Sequence, residues 1–401
     1  MGKRKKTNNK STEAKEEVVL TPTEQSTEPQ PAEEAVTTKP AKGSKAAPVW
    51  YKNHKVLTAA AIALGAVLLV LVASVAMQNN SSDNQMVAVE KGKKKNKKNE
   101  PTVLARHIDG TMVAAADANI VPGCVMIENA AFDGVRPQSG LSAASVVYEI
   151  IVEGGITRFM AVYAGESADA IGPVRSARDT YLEFASEYNC GYAHAGGSYT
   201  AMLAIPRFNM RNIDALYESK YFWRDNNKYS PHNLFTNSEN LYAAISDGHS
   251  WTDEPVYAVW NFVDDASLPA GETANEVSIE FGGSYNVQYT YNADAKYYER
   301  SNGGVLQTDA NTGNTLTARN VVIESVPEGI YIEGKGRVNF DVTGEGDVYI
   351  FRNGVLTKGK WKKADRLDRT RYYDEAGNEI PMARGNTWVE IVPTGYTFNW
   401  Q

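Results

Sequence analysis

The pattern of apolar and polar positions divides the 401-residue chain into three segments. Residues 1–50 are polar and nearly free of aromatic side chains. Such a segment cannot bury enough apolar surface to offset its chain entropy, so it is predicted to be a disordered tail. Residues 56–77 form an uncharged apolar run. From about residue 102 onward, short apolar runs alternate with polar turns, which is typical of folded domains.

The apolar run at residues 56–77 would be about 33 Å long as a helix, which matches the hydrocarbon core of a bilayer. A secretory signal is the alternative, with SVA near the end of the run as a cleavage site, but such signals have shorter apolar runs and shorter preceding segments. A retained transmembrane helix is therefore predicted. Lys52 and Lys55 abut its N-terminal end, which predicts a cytoplasmic N-terminus and extracytoplasmic C-terminal domains in a single-pass protein of the cell membrane.

Two folded domains are predicted after a flexible Lys-rich linker at residues 78–116. The first domain, residues 117–262, mixes apolar strands with helices and is expected to be an α/β (α+β) domain with a mixed sheet. The second domain, residues 263–401, has alternating runs separated by turn dipeptides, which predict hairpins and a mainly β fold. These dipeptides are Asn302-Gly303, Asn353-Gly354 and Ala376-Gly377.

The distribution of charged residues and the two cysteines limit the classes of function that the chain can have. Residues 1–100 carry 17 Lys and Arg against 10 Asp and Glu, whereas the rest of the chain carries 24 against 38. An acidic globular part argues against a nucleic-acid partner. Cys124 and Cys190 lie in apolar runs, where buried free thiols are the simpler interpretation and a single disulfide is the alternative. The sequence has no zinc spacing and no nucleotide fingerprint, so no metal and no cofactor are predicted.

Charged residues interrupt the apolar runs VVYEIIV and ITRFMAVY, which are joined by two glycines and predict a hairpin. A two-residue glycine turn would place Glu153 opposite Ile156 and Glu149 opposite Met160. Glu149 would then lie diagonal to Arg158 on one face of the sheet. Because charges in apolar runs are costly unless paired, the two either form an internal ion pair or line a site at the sheet edge.

The segment IGPVRSARDTYLEFASEY predicts a helix that begins at Ser176, with Asp179 three residues later as in a capping box. Arg175 and Arg178 flank its first turn, where cations oppose the helix dipole. An acidic side chain from elsewhere would compensate them. A bound phosphate or carboxylate would do so too, because free backbone N–H groups point the same way.

The run CGYAHAGGS places His194 at the end of a strand, before two glycines and a helix that begins near Ser198. His194 is either a hydrogen-bonded structural residue or a general base. Arg224 and His232 lie on a polar loop rich in aromatic residues. The catalytic candidates are Glu149, Glu153 and His194, and the ligand-binding candidates are Arg136, Arg158, Arg175, Arg178, Arg224 and His232.

Several of these segments resemble one family. RPQSGLSAASVVYE, EGGITRF, IGPVRSAR, HAGGS, FWRD and PHNLFT, in this order, are similar to the YerB-like lipoproteins of Gram-positive bacteria. NVVIESVP, GEGDVYIFRNG and GNTWVEIVP resemble the second domain of the same family. The resemblance covers residues 120–395 and implies two domains and an envelope location, but no established activity. The lipid-bearing Cys that the family name implies is absent, and the predicted membrane span takes its place.

Two functions are compatible with these features. The first is a membrane-anchored, non-enzymatic extracytoplasmic protein that binds a cell-wall polymer or a wall-synthesis or division protein. The second follows from a resemblance of IGPVRSARDTY and HAGG to the LytR-CpsA-Psr envelope ligases, in which arginines hold a polyprenyl pyrophosphate. It is an envelope enzyme acting on an anionic glycan or a lipid-linked (pyro)phosphate. The arginines would bind the anion, and one of the three catalytic candidates would transfer the proton.

Overall fold

The computed structural model describes residues 102–132, 134–332, 334 and 336–401, which belong to one compact unit. The predicted tail and the predicted membrane span at residues 56–77 lie outside the described residues. Within the described part of the chain, every helix is too short or too polar to span a bilayer.

The first domain combines strands with three α-helices among its described residues. Its strands are β1 (Val103–Ala105), β2 (Met112–Ala114), β3 (Gly123–Glu128), β4 (Val146–Glu153), β5 (Ile156–Tyr163), β6 (Gly191–His194), β7 (Asn212–Asp214), β8 (Trp223–Arg224) and β9 (Leu234–Phe235). Its helices are α1 (Asp179–Tyr188), α2 (Tyr199–Arg207) and α3 (Ser238–Ala243).

The part of the chain from residue 262 onward is mainly β structure, as predicted. Its strands are β10 (Phe262–Val263), β11 (Glu272–Thr273), β12 (Glu276–Glu280), β13 (Val287–Asn292), β14 (Tyr297–Asn302), β15 (Val305–Leu306), β16 (Thr317–Ala318), β17 (Asn320–Val326), β18 (Ile330–Ile332), β19 (Arg337–Asn339), β20 (Gly344–Arg352), β21 (Val355–Lys363), β22 (Arg371–Tyr373), β23 (Met382–Ala383), β24 (Thr387–Pro393) and β25 (Thr397–Trp400).

One mixed sheet crosses both domains. Its strands follow the order β11–β21–β20–β17–β24–β4–β5–β3–β6–β7. Strand β24 is parallel to β17 on one side and to β4 on the other, so it joins the sheet of the first domain to that of the second. A smaller sheet in the order β15–β14–β13–β12–β25 packs beside it. The predicted mixed sheet is confirmed, and the two domains share it.

The centre of the large sheet is buried on both faces. Every residue of β3 is buried, as are the first seven residues of β4, which explains why their sequences are continuous apolar runs instead of alternating ones. Helix α1 packs on this sheet through the predicted apolar stripe, since Tyr181, Phe184 and Tyr188 are fully buried. The core of the first domain therefore lies between α1 and the central strands.

Helix α1 begins later than its sequence predicted. Arg178 is the N-cap and Asp179 is the first helical residue, so the N-cap predicted at Ser176 is wrong by two positions. Ser176 instead remains in an extended segment, where its carbonyl oxygen accepts a hydrogen bond from Arg158 at 2.8 Å. The carboxylate of Asp179 accepts hydrogen bonds from Ser198 and Thr200 at the start of α2 and thereby ties the two helices together.

The β4–β5 hairpin has a bulge that its sequence did not reveal. Glu153 pairs with Ile156 as predicted, but the register shifts between Ile151 and Glu153, and Glu149 pairs with Phe159 instead of Met160. A shift of one residue moves every later side chain to the other face. Glu149 and Arg158 therefore point to opposite faces of the sheet, and the predicted diagonal pair does not form.

One further difference concerns the linker predicted before the first domain. Strands β1 and β2 form a hairpin inside the linker predicted for residues 78–116, and Arg106 between them pairs with Asp109 and Glu166.

In the second domain, the β20–β21 hairpin turns at Asn353-Gly354 as predicted. Both residues have positive φ, at 50° and 72°, which suits the Asn-Gly sequence to a tight hairpin turn.

The two cysteines form a disulfide. Cys124 on β3 and Cys190 just before β6 are joined across 66 positions of the sequence, and both are buried. The interpretation as free thiols is therefore wrong, because the parallel pairing of β3 with β6 brings the two α-carbons within 5.8 Å. Such a bond persists in oxidising compartments.

Candidate functional site

The sequence-predicted residues converge at one edge of the large sheet. Strands β3, β6 and β7 are parallel, and their carboxyl ends carry Glu128, His194 and Asp214. The extended segment before α1 crosses this edge, with Val174 bridged to Ile127 and Ala177 to Gly197. Ligands of open α/β sheets bind outside the carboxyl ends of the strands, so this edge is the natural place for a site.

Glu153 is the centre of the first group at this edge. Its carboxylate accepts from Arg178 Nε at 2.7 Å and from Arg158 Nη2 at 3.1 Å. Burial alone would raise the pKa of Glu153, but the hydrogen bond from Arg178 and the charges of both arginines outweigh it and lower that pKa. Burial, together with the nearby Arg178, lowers the pKa of Arg158 to about 10. Arg158 and Arg178 also donate to the backbone carbonyl oxygens of Ser176 and Ala177, respectively.

Glu128 is the centre of the second group. Its Oε1 lies 3.3 Å from Arg175 Nε, and both of its oxygens lie 2.9 Å from His232 Nδ1. The side chains of Arg175 and His232 are each 23% exposed, so this group is the more open of the two. Arg158, Arg175 and Arg178 thus all contact carboxylates of the protein itself. That is the geometry of an internal ion cluster, in which a bound anion would have to displace Glu153 or Glu128.

His194 occupies a buried position at the end of β6. Its Nδ1 lies 2.8 Å from the carbonyl oxygen of Gly196 and its Nε2 lies 2.7 Å from Asn212 Oδ1. Asp214 braces the same loop by accepting from the N–H of Gly196 at 2.9 Å. Because both ring nitrogens already bond to groups of the protein, the geometry of His194 fits a hydrogen-bonded structural residue and not a general base.

The remaining candidates lie apart from this edge or only border it. Arg136 donates to the carbonyl oxygens of Asn129 at 2.7 Å and Ser284 at 2.8 Å, so it bridges the two domains. Arg224 donates to Asn233 Oδ1 at 2.7 Å within its own loop. The structure therefore brings Glu153 and the three arginines to the same edge of the sheet as His232. His194 lies at that edge too but bonds Gly196 and Asn212, and Glu149 contacts Arg300 instead. Their functional roles stay predictions.

Glu149 belongs to a buried network that the sequence reasoning missed. Arg300, which is fully buried, contacts Glu149 and donates to the hydroxyl of Tyr289 at 3.1 Å. Its guanidinium also lies 3.8 Å from Glu390 Oε1. Burial raises the pKa of Glu390 well above its usual value, and the neighbouring Glu149 adds to the effect. We call these four residues the Arg300 network, and it connects the two domains.

A second buried group connects α1 to the second domain. Glu187 accepts from Lys363 at 2.9 Å, from Arg369 at 3.0 Å and from the hydroxyl of Thr370 at 2.6 Å. The signal for the Arg300 network was present in the sequence, since the single charges of Glu149 and Glu390 interrupt the apolar runs VVYEIIV and TWVEIVP. Partners more than 150 positions away could not be assigned from such runs.

The buried Glu324 predicts a pH dependence of stability. Its carboxyl group bonds the hydroxyl of Tyr372 at 2.7 Å, and burial raises the pKa of Glu324 from 4.5 to about 8. The folded protein therefore holds this proton more tightly than the unfolded chain does. Its contribution to stability is complete below about pH 4.5 and is lost as the pH rises to about 8, at up to about 1.4 kcal/mol per pH unit.

Urea unfolding between about pH 5 and about pH 8.5 should show this loss in the wild type and not in Glu324→Gln. The exposed carboxylate of Glu280 provides the control, because Glu280→Gln should keep the wild-type slope. Parallel pH profiles for wild type and Glu324→Gln would contradict the assignment.

Comparisons with known proteins agree with the two-domain architecture. The family described as "Protein of unknown function (DUF3048) N-terminal domain" matches residues 110–250, and its C-terminal domain matches residues 277–389. The "Putative lipoprotein YerB" of Bacillus subtilis (strain 168) is 30% identical over 278 residues, which are 68% of this chain and 81% of that protein.

A solved structure shows the same fold. The crystal structure of the YerB protein from Bacillus subtilis superposes with a TM-score of 0.65 at 27% sequence identity, covering 74% of this chain and 99% of that one. Both domain matches, the sequence relative and the superposition point to the same proteins. The chain therefore belongs to the YerB-like, lipoprotein-related family of unknown function, whose two domains it carries in the same order.

Proposed function

We propose that this protein is a non-enzymatic component of the cell envelope that binds a wall glycan through the outer face of its second domain. Three features support the envelope location: the lipoprotein name of the relative, the predicted membrane span and the disulfide. The ion pairs at the sheet edge support a non-enzymatic role, because the three arginines already contact internal carboxylates.

The observation that carries the glycan proposal is an aromatic cluster on the outer face of β20 and β25. The ring of Tyr349 lies 4.8 Å from that of Phe398 and 5.7 Å from that of Trp400, between centroids. All three side chains are half-buried, so part of each ring faces solvent. Sugar rings present C–H groups on their flat faces, and these pack against exposed aromatic rings.

A depression of about 680 Å³ continues from this cluster along β21. Lys358 lies opposite Tyr349 in the strand pairing, and Lys360 lies opposite both Asp347 and Tyr373. The lysines form exposed ion pairs, at 2.9 Å to Glu272 for Lys358 and at 2.6 Å to Asp347 for Lys360. Exposed pairs of this kind are weak, so their donors and acceptors can exchange to sugar hydroxyls at little cost.

The aromatic rings beside alternating charges therefore fit a neutral or zwitterionic glycan better than a polyanion. The full-length protein should be retained on purified wall sacculi, and also on sacculi stripped of anionic polymers. Salt screens interactions between charges but not the packing of sugar rings against aromatic rings, so retention should persist at high salt. Trp400→Ala should weaken binding about tenfold, the loss of one aromatic contact of roughly 1–1.5 kcal/mol.

The matched control is Tyr217→Ala, since Tyr217 is 83% exposed in the first domain. It should bind like the wild type. Thermal unfolding of each variant should show that the fold is intact. Wild-type protein that passes through both kinds of sacculi unretained, or a Trp400→Ala variant with unchanged affinity, would refute the proposal.

A further inference from the structure

A second surface, unconnected with the glycan face, lies where the two domains meet beside α1 and α2. A groove of about 650 Å³ runs between these helices and the chain that follows β19. The hydroxyl of Thr180 in α1 contacts Asn339 Oδ1 at 2.9 Å and accepts from the N–H of Phe340 at 3.1 Å. These bonds hold Asn339 and Phe340, which form the wall of the groove opposite the helices, against α1. The groove is therefore a fixed feature of the fold. Its apolar lining consists of Leu182, Leu203, Ala204, Phe208, Ile330, Phe340 and Val342.

Large apolar side chains stand exposed at the rim of this groove. Leu203 is 56% exposed, and Tyr199, one helical turn earlier on the same face of α2, is 70% exposed. On the opposite wall Ile330 is 72% exposed. Exposed apolar groups gathered along a groove mark an interaction surface, whereas single ones are ordinary.

The charges along the groove are mainly acidic. Asp179, Glu183 and Asp341 line it, with Arg207 as the cation among the described lining residues. In the part of the chain that the structure describes, none of these three carboxylates forms a salt bridge. Burial raises the pKa of Glu183 and outweighs the opposing charges of the nearby Lys363 and Arg366. A cation placed in the groove would gain electrostatic stabilisation from these carboxylates.

We propose that this groove docks a segment of a partner protein in which apolar side chains stand next to Lys or Arg. The apolar side chains would cover Leu203 and Ile330, and the cations would pair with Glu183 and Asp341. Charge complementarity of this kind sets the choice and the orientation of a partner, while the apolar contacts supply most of the affinity. An anionic glycan is excluded by the same three carboxylates. The protein would then hold a glycan on one face and a protein on another.

Fluorescence anisotropy with the full-length protein tests this docking surface. The probe is a pool of short labelled peptides that combine leucine and lysine, and the comparison pool combines leucine and glutamate. The leucine–lysine pool should bind, and the leucine–glutamate pool should bind at least tenfold more weakly. Glu183→Lys and Leu203→Ser should each weaken the binding of the leucine–lysine pool about tenfold.

Two matched substitutions separate the groove from general attraction to an acidic protein. Glu280→Lys makes the same change in charge at an exposed site on β12, and Val305→Ser removes an apolar side chain that is 69% exposed on β15. Both should bind like the wild type. Equal weakening by Glu183→Lys and Glu280→Lys, equal binding of the two peptide pools, or no binding of the leucine–lysine pool would each overturn the proposal. The glycan assay does not involve this groove, so the two proposals fail separately.

Discussion

Replacing Arg300 with methionine should lower the free energy of unfolding by about 3–5 kcal/mol, because it leaves Glu149 and Glu390 buried without a cation. Arg300 is fully buried, and its guanidinium lies 4.4 Å from the ring centroid of Trp388 and 5.3 Å from that of Phe159. Methionine fills similar space but carries no charge. Equilibrium urea unfolding of both proteins at neutral pH measures the loss.

The loss should shrink as the pH falls, because protonation then removes the buried negative charge that Arg300 no longer compensates. Arg352→Met is the matched control. Arg352 is also buried, yet among the described residues it has no carboxylate partner, and burial lowers its pKa to about 10. Arg352→Met should therefore cost far less or stabilise the protein. Similar losses for the two variants would show that side-chain volume, and not charge pairing, makes Arg300 important.

Removing the disulfide should cost about 4 kcal/mol of stability, the value expected for opening a loop of 66 residues. The test compares wild type with the double variant Cys124→Ala, Cys190→Ala by urea unfolding, with and without reductant. Reductant should destabilise the wild type and leave the double variant unchanged. Thiol titration of unreduced, denatured wild type should find no free thiol. Two titratable thiols, or a wild type that is indifferent to reductant, would contradict the bond.

Local features of this fold were predictable from the sequence wherever short-range chemistry decides them. The Asn353-Gly354 turn fixes the β20–β21 hairpin, since a tight turn needs two residues with positive φ. The apolar stripe of α1 is buried as its spacing predicted. Ser198 caps α2 by accepting from the N–H of Ala201, close to the predicted start. Each of these elements depends on neighbours within a few residues.

The failures have a common physical cause, which is that long-range contacts overrode local patterns. A bulge before Glu153 shifted the register, so Glu149 turned away from Arg158 toward Arg300 in the other domain. Ser176 lost its expected capping role because the extended segment containing it pairs with the sheet edge. The charged interruptions in apolar runs did predict paired charges, but nothing local could identify the partner.

The charged residues at the edge of the large sheet show that the prediction of function from sequence has the same limit. The enzyme hypothesis assigned Arg158, Arg175 and Arg178 to one anion site, and the structure brings them to one edge of the sheet. It also supplies Glu153 and Glu128 as their counter-ions. Glu128 ends a continuous apolar strand and gave no sign of this role. The aromatic cluster of Tyr349, Phe398 and Trp400 was equally invisible, because its members come from strands of two different sheets.

The position of β24 has a consequence for how the newly made chain matures. This strand lies near the C-terminus, yet it is hydrogen-bonded on both sides in the middle of the large sheet. Until it arrives, the outer edge of β4 is an open, apolar template for another polypeptide. The first domain therefore cannot be completed while synthesis of the chain is still in progress. A chain shortened before residue 387 would expose this edge permanently and aggregate, so the two domains must be produced together.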